Sequence, residues 1–317
     1  MTARKPKSKP AAPRIAILIP CYNQEGSIGK VVAAFRAVLP DAHLYVFDSG
    51  STDSSSKVAR EAGASVVFSP RRGKGHIMRH MFEVVDADAY VLVDGDEAYR
   101  ASAATHMLAE FWAQEADMVI GVRLEDHKTK SFRPLHKLGN HFLARLVSTF
   151  FSTRVHDVLS AYRILSRDFV KRVNLRAAGY EVETEMTAQC LARGFRLVEV
   201  PVSFGMPSDS DQPRRFHARE GTAILKSLLW IFRATRPGFF FSVASWLSLI
   251  GALAAAWPPA LSYLAGAEIE TYWVIIATGL AVMAVFFFTA GVVLSHQNQQ
   301  HLETQSSLRS LLKGRGK

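Results

Sequence analysis

Tyr90-Val91-Leu92-Val93-Asp94-Gly95-Asp96 joins a run of apolar β-formers to two carboxylates two positions apart. The run is short and continuous and ends in turn chemistry, so 90–94 reads as a strand buried on both faces. Working outward, similar runs at 15–20, 44–48, 65–69 and 118–121 read as strands, with helices expected over 27–39, 54–62, 76–85 and 101–114. This alternation predicts an α/β fold with a mainly parallel, doubly wound sheet flanked by helices. Such sheets bind ligands at the carboxyl ends of their strands, so the polar groups after each apolar run are the candidates for chemistry.

Those groups form a series. Pro20, Tyr22 and Glu25 follow the first run, where a polar strand-end loop suits a nucleotide but also makes an ordinary turn. Asp48 ends the second run, placed to accept hydrogen bonds from a base or ribose, while Ser51, Thr52 and Asp53 serve equally well as helix caps. In Arg71-Arg72-Gly73-Lys74-Gly75 the glycines let backbone approach a phosphate, and Lys74 adds charge at a helix start. The stretch is not a Walker A sequence. Asp94 and Asp96 can both reach one hard divalent cation, Mg²⁺ or Mn²⁺, although a D-x-D also occurs in plain turns. His76 and His80 have the i, i+4 spacing of a zinc pair but lack a third ligand, so a solvated helix face is the reading.

A second block continues with an amphipathic helix over 134–151, a stretch at 156–166, a helix over 183–193 and a strand within 195–204. Glu181, Glu183 and Glu185 alternate into that last helix, where acidic residues stabilise the N-terminus or line a ligand site. A polar loop occupies 207–213.

The order PCYNQE, FDSGSTD, RGKG, VDGD, IGVR, DVLSAYR, ETE, EVPVSF resembles the family 2 glycosyltransferases, over about residues 14–236. Within them it looks most like the polyprenyl-phosphate (dolichyl-phosphate) mannose and glucose synthases. The resemblance implies a GT-A fold and an inverting, metal-dependent transfer of one sugar. The donor would be a UDP- or GDP-linked hexose and the acceptor a polyprenyl phosphate such as undecaprenyl phosphate. By position it implies that Pro20, Tyr22, Glu25, Asp48, Lys74 and Asp94 bind the nucleotide and that Asp94 and Asp96 hold Mg²⁺ or Mn²⁺. Asp157 and Arg163 would be catalytic, with Arg123, Arg163, Arg214 and Arg215 on the acceptor phosphate. Many relatives carry D-A-D-L-Q, whose glutamine helps ligate metal; here that position is Ala98, leaving water or Glu97 to fill it. An acceptor phosphate is already anionic, so Asp157 either takes a residual proton or orients a cationic partner. Two other readings stand beside this one: a polysaccharide synthase, from the Q-x-x-R-W-like Gln212-Pro213-Arg214-Arg215-Phe216, and an inactive nucleotide-sugar-binding membrane protein.

The back of the chain has another character. Residues 239–264 and 272–294 contain no Asp, Glu, Lys or Arg, and each is long enough for a bilayer core, which needs roughly 20 apolar residues. Pro258 and Pro259 are expected to make the far end of the first span irregular. The connector carries Glu268 and Glu270 and no basic residue, while Arg233, Arg236, Arg309, Lys313, Arg315 and Lys317 flank the pair. The positive-inside bias therefore places the catalytic part and both termini in the cytoplasm of a bacterial inner membrane. The chain is divided into a basic arm (1–13), a catalytic domain (14–213), an amphipathic juxtamembrane helix (214–237), two spans (238–295) and a cytoplasmic tail (296–317).

Bulk composition agrees with that division. The 317 residues are 49% hydrophobic with a formal net charge of +10. The basic residues flank the spans and form no nucleic-acid-binding motif, so a nucleic-acid partner is not expected. Nucleotide-sugar, lipid phosphate and bilayer are, and a homo-oligomer is compatible with all of them. The two cysteines, Cys21 and Cys190, lie in different elements and support neither a disulfide framework nor a thiol zinc site.

Overall fold

The computed structural model describes residues 12–125, 134–205, 237–268 and 270–314, with residues 226, 229 and 233 between them. The arm expected over 1–13 falls largely outside these residues. So do the 207–213 loop, Arg214, Arg215 and nearly all of the helix expected over 214–237. The chain divides into two units, 1–228 and 229–317.

In the first unit seven strands form one sheet: β1 (Ile15–Cys21), β2 (His43–Asp48), β3 (Ser65–Phe68), β4 (Ala89–Leu92), β5 (Met118–Glu125), β6 (Arg163–Ser166) and β7 (Leu197–Phe204). Their order is β3-β2-β1-β4-β6-β5-β7. The helices are α1 (Ile28–Val38), α2 (Ser55–Glu61), α3 (Lys74–Val84), α4 (Ala103–Ala113), α5 (Pro134–Phe151), α6 (Arg167–Arg172) and α7 (Val182–Ala192). The period-2 alternation of the strands sorts two cores. Ile17, Ile19 and Val91 join Val32 and Phe35 of α1 and Met107 of α4 on one face. Ala16, Leu18 and Tyr90 join Met78 and Met81 of α3 and Met186 of α7 on the other. Burial on both faces is why these strands read as continuous apolar runs.

Two departures from the expected sheet matter for the site. β5 runs on to Glu125, which places Arg123 on a strand, paired with Val202 of β7. β6 is an added strand, antiparallel to both β4 and β5, with Arg163 opposite Leu92 and Ile120. An antiparallel strand inserted in a parallel sheet begins at its neighbours' carboxyl ends. The segment leading into β6, with Asp157, is thereby delivered to the ligand-binding edge.

The second unit holds α8 (Pro237–Leu264) and α9 (Thr271–Gly314). Helix α8 is continuous through Pro258 and Pro259, where an irregular stretch was expected; the prolines remove two backbone donors without ending the helix. Helix α9 continues past the apolar stretch to Gly314, so the described part of the expected tail is helical. Segments Pro237–Leu264 and Thr271–Gln297 are long and apolar enough to cross a membrane. Their large apolar side chains face outward: Trp246, Leu253, Ile275 and Phe286 are each 65–66% exposed. A soluble core helix would bury that surface.

Candidate active site

The loops after β1 and β2 are sewn together by side chains of both. Asn23, at φ 50°, donates its N–H to Ser51 Oγ (2.9 Å), and its Oδ1 accepts from the Thr52 N–H (2.8 Å). The Gln24 N–H donates to Ser55 Oγ (2.7 Å), and Glu25 Oε2 accepts from the Ser54 N–H (2.9 Å). Asp53 accepts from the Ser55 N–H (3.0 Å) and the Glu25 N–H (3.2 Å). Glu25 and Asp53 are thus clamps between loops. Pro20 stands beyond the last β1–β4 pair, Leu18↔Leu92, where a missing N–H leaves no ladder bond unmade.

Asp48 is buried at the end of β2. Its carboxylate accepts from the Ser51 N–H (2.9 Å), Ser51 Oγ (2.6 Å) and Ser56 Oγ (2.5 Å). Burial pushes this carboxyl up, but the Ser51 and Ser56 hydrogen bonds outweigh it and hold the group below the ordinary carboxylate range. Tyr22 is exposed, with the Arg72 guanidinium over its ring at 5.0 Å.

The 71–75 stretch packs against the segment before α7. A Cβ on Gly73 would lie 2.5 Å from Ala178 O, and one on Gly75 2.1 Å from Ala177 O. The Gly75 N–H already donates to Ala178 O (3.0 Å). These glycines admit the loop before α7 to close contact with the start of α3. Glu185 accepts from the N–H groups of Arg176 and Ala177, and Glu181 from those of Ala178 and Gly179, so the same loop is held from its other side. Docking this loop carries Glu183 to Lys74, and the ammonium bridges Asp94 Oδ1 (2.6 Å) and Glu183 Oε1 (2.5 Å).

Around the D-x-D, Ser27 Oγ donates to Gly95 O (2.7 Å). A Cβ on Gly95 would meet Gln24 Oε1 at 2.7 Å, so a larger residue between the two carboxylates would have to displace the Gln24 side-chain tip. Asp96 Oδ1 accepts from the Ala98 N–H (3.2 Å). Ala98 is buried in the core, and Glu97, at φ 59°, ion-pairs with Lys30 of α1 at 3.1 Å. No cluster of three His, Cys, Asp or Glu ligands occurs among the described residues. Asp94 and Asp96 suit a hard cation that takes its remaining ligands from a diphosphate and water. His76 and His80 separate: Arg79 contacts His76 Nδ1 (2.5 Å), while His80 packs edge-on against Phe47.

Arg123 and Asp157 form a two-pronged pair, Nε to Oδ2 at 2.6 Å and Nη2 to Oδ1 at 2.8 Å, with little of either side chain exposed. Burial would raise the Asp157 carboxyl, and the Arg123 hydrogen bonds and charge hold it below its ordinary value. With both oxygens engaged, Asp157 orients Arg123. A ladder beneath them fixes the pair: Ser160 Oγ donates to Gly121 O (2.6 Å), and the Tyr99 hydroxyl accepts from the Ala161 N–H (3.2 Å). His156 and Glu199, not singled out from sequence, brace the same loop; the Glu199 carboxylate meets His156 Nδ1 (2.6 Å) and accepts the His156 N–H (2.8 Å).

Arg163 requires a correction. Expected on a phosphate, it is wholly buried. Its guanidinium donates to Ser160 O (2.8 Å), Val158 O (3.0 Å) and Thr187 Oγ1 (2.8 Å). The side chain ties the 158–160 loop to α7.

Acidic groups thus end β2 and β4 of an open α/β sheet, and the Arg123–Asp157 pair stands near the carboxyl end of β5, the edge at which such sheets bind ligands. Residues 16–173 match the family model described as Glycosyl transferase family 2. Glycosyltransferase AglJ of Haloferax volcanii is 30% identical over 78% of this chain and 81% of its own length. Polyprenol monophosphomannose synthase of Mycolicibacterium smegmatis is 26% identical over 60% of this chain and 77% of its own. Among solved structures, glucosyl-3-phosphoglycerate synthase from Mycobacterium tuberculosis, in complex with Mn²⁺ and UDP-glucose, aligns with a TM-score of 0.58 at 21% identity. That alignment covers 70% of this chain and 79% of the other. The chain belongs to glycosyltransferase family 2, and its sheet is of the GT-A type.

Proposed function

We propose that the protein moves one hexose from a UDP- or GDP-linked donor to a polyprenyl phosphate at a membrane, inverting the anomeric centre. The observation that carries this reading is a family 2 catalytic unit in one chain with two helices whose apolar side chains face outward. Such an enzyme meets its acceptor at the bilayer. The M. smegmatis relative, named for polyprenol monophosphomannose synthesis, supports the lipid class.

In this reading Asp48 holds the nucleoside, and Tyr22 with Arg72 flanks it. Asp94 and Asp96 hold Mg²⁺ or Mn²⁺, which supplies charge neutralisation for the departing diphosphate. Arg123, fixed by Asp157, faces the acceptor phosphate and aligns it for in-line attack; the acceptor's own negative oxygen is the nucleophile, so alignment and charge placement do the catalysis. Asp157 thereby takes the orienting role, and Arg163 contributes through the loop it anchors. The catalytic unit and both termini lie in the cytoplasm, with the acidic connector outside.

The test is transfer from labelled UDP-glucose, GDP-mannose and related donors to undecaprenyl phosphate in detergent or proteoliposomes with Mn²⁺. A single-sugar lipid product, abolished by Asp96→Asn, is expected. Long polymer in place of that lipid would support a synthase instead, and donor binding without transfer to any polyprenyl phosphate would support an inactive binding protein.

A further inference from the structure

Lys74, the first residue of α3, carries one positive charge between two carboxylates. Its ammonium lies 2.6 Å from Asp94 Oδ1 and 2.5 Å from Glu183 Oε1, and all three side chains are less than a tenth exposed. Asp94 closes the β4 strand end, whereas Glu183 arrives on α7 through the glycine-lined docking of the 176–179 loop. The second oxygen of Glu183, Oε2, is buried and accepts no hydrogen bond. A buried acceptor without a donor is costly, so this atom is a place for a donor to move to. The field of Glu183 also reaches Arg163 and Arg123, which keeps its carboxylate among cations whichever way Lys74 turns.

We propose that Lys74 is a built-in stand-in for the divalent cation, holding Asp94 before the cation arrives and shifting wholly onto Glu183 when it does. The inference rests on the reading of Asp94 and Asp96 as the metal carboxylates. An ammonium and a divalent ion cannot share Asp94 Oδ1 without placing like charges in near contact. Lysine suits the exchange, since it is a point charge on a flexible four-carbon stem. Glu183 is then a positioning residue that receives the displaced ammonium. The cation alone must evict Lys74, whereas a cation arriving with a diphosphate brings anions that repay the eviction. Metal binding is thereby tied to donor binding.

The experiment is Mn²⁺ titration of the full-length protein in detergent, read by the electron paramagnetic resonance of free Mn²⁺, with and without UDP or GDP. Wild type is expected to bind Mn²⁺ at least about tenfold more weakly without nucleotide than with it. Lys74→Met should tighten nucleotide-free binding by about tenfold and so shrink the nucleotide dependence. Glu183→Gln leaves Lys74 with Asp94 as its carboxylate partner and should weaken nucleotide-free binding. Mn²⁺ binding that is no tighter in Lys74→Met overturns the proposal. If that variant fails to fold by circular dichroism, Glu183→Gln decides, and unchanged nucleotide-free affinity overturns it. Absence of Mn²⁺ binding to wild type with either nucleotide removes the metal reading itself, and the stand-in with it. Nucleotide-dependent binding that is indifferent to Lys74 removes the stand-in alone.

Discussion

At the scale of single residues, Arg163 and Arg123 do different work. Arg163 gives its N–H groups to Ser160 O, Val158 O and Thr187 Oγ1. Arg163→Lys keeps the charge but loses the planar fork, so it should cost about 2–3 kcal/mol and lower the melting temperature in detergent. The KM for the polyprenyl-phosphate acceptor should stay within about twofold, because lost hydrogen bonds inside the fold change stability and not uniform acceptor binding. A KM rise of about tenfold or more would return Arg163 to a phosphate. Asp157→Asn acts at the chemistry instead. It leaves the Arg123 charge buried and half-paired, a loss of about 3–5 kcal/mol, and it should reduce kcat more than it raises donor KM. The pH dependence has a definite sign. The folded Asp157 carboxyl titrates below its unfolded value, so its share of stability is complete above about pH 4 and drains away as pH falls through the folded value. Melting curves across acid pH should show a shallower acid limb in Asp157→Asn than in wild type. Asp48 and Asp53, also held low, keep the remaining slope in both.

Between elements, the glycines of α3 decide where Lys74 can reach. Gly75→Ala would place a methyl 2.1 Å from Ala177 O; backbone cannot yield as a side-chain tip does, so the loop before α7 must shift. Overpacking of this kind costs about 1–3 kcal/mol. Thermal unfolding should register that cost. Because Glu183 rides on the displaced segment, sugar transfer should fall beyond what the unfolded fraction explains. A variant as stable and active as wild type would show that the contact is not fixed. The same elements mark what the sequence conveyed. β1, β2 and β4 were legible because strands buried on both faces are continuous apolar runs, and Asp48 and Asp94 were legible because each ends such a run. β6 was not: four residues beginning with a buried arginine carry no usable period, and without β6 the inward direction of Arg163 is invisible. In the sequence the 71–75 glycines read as a backbone approach to a phosphate, and the close approach in the structure is to Ala177 and Ala178. A glycine reports only that something comes near, and here the partner is backbone more than a hundred residues away in the chain.

For the whole molecule, the decisive question is how α8 and α9 lie in a bilayer, and the two native cysteines make it answerable. Cys21 is 2% exposed and Cys190 fully buried, and burial pushes the Cys21 thiol up to about 12. Thiolate is the reactive form, so neither should react with a maleimide while the catalytic unit is folded. A cysteine introduced at Glu268, in the acidic connector between α8 and α9, would then be the only labelled site. With basic residues flanking the apolar pair and none in the connector, the proposed topology has position 268 outside the cytoplasm. Glu268→Cys in intact cells is therefore expected to take a membrane-impermeant maleimide, and a cysteine replacing Ser307 to take it only after permeabilisation. The reverse pattern would invert the topology and place the catalytic unit away from cytoplasmic nucleotide-sugars, which the proposed reaction could not survive. Labelling of neither position in intact cells, and of both after permeabilisation, would mean that the helices do not cross the bilayer at all. The acceptor would then have to reach Arg123 by some route other than the membrane the enzyme is anchored in, and the lipid-phosphate reading would lose its strongest physical support.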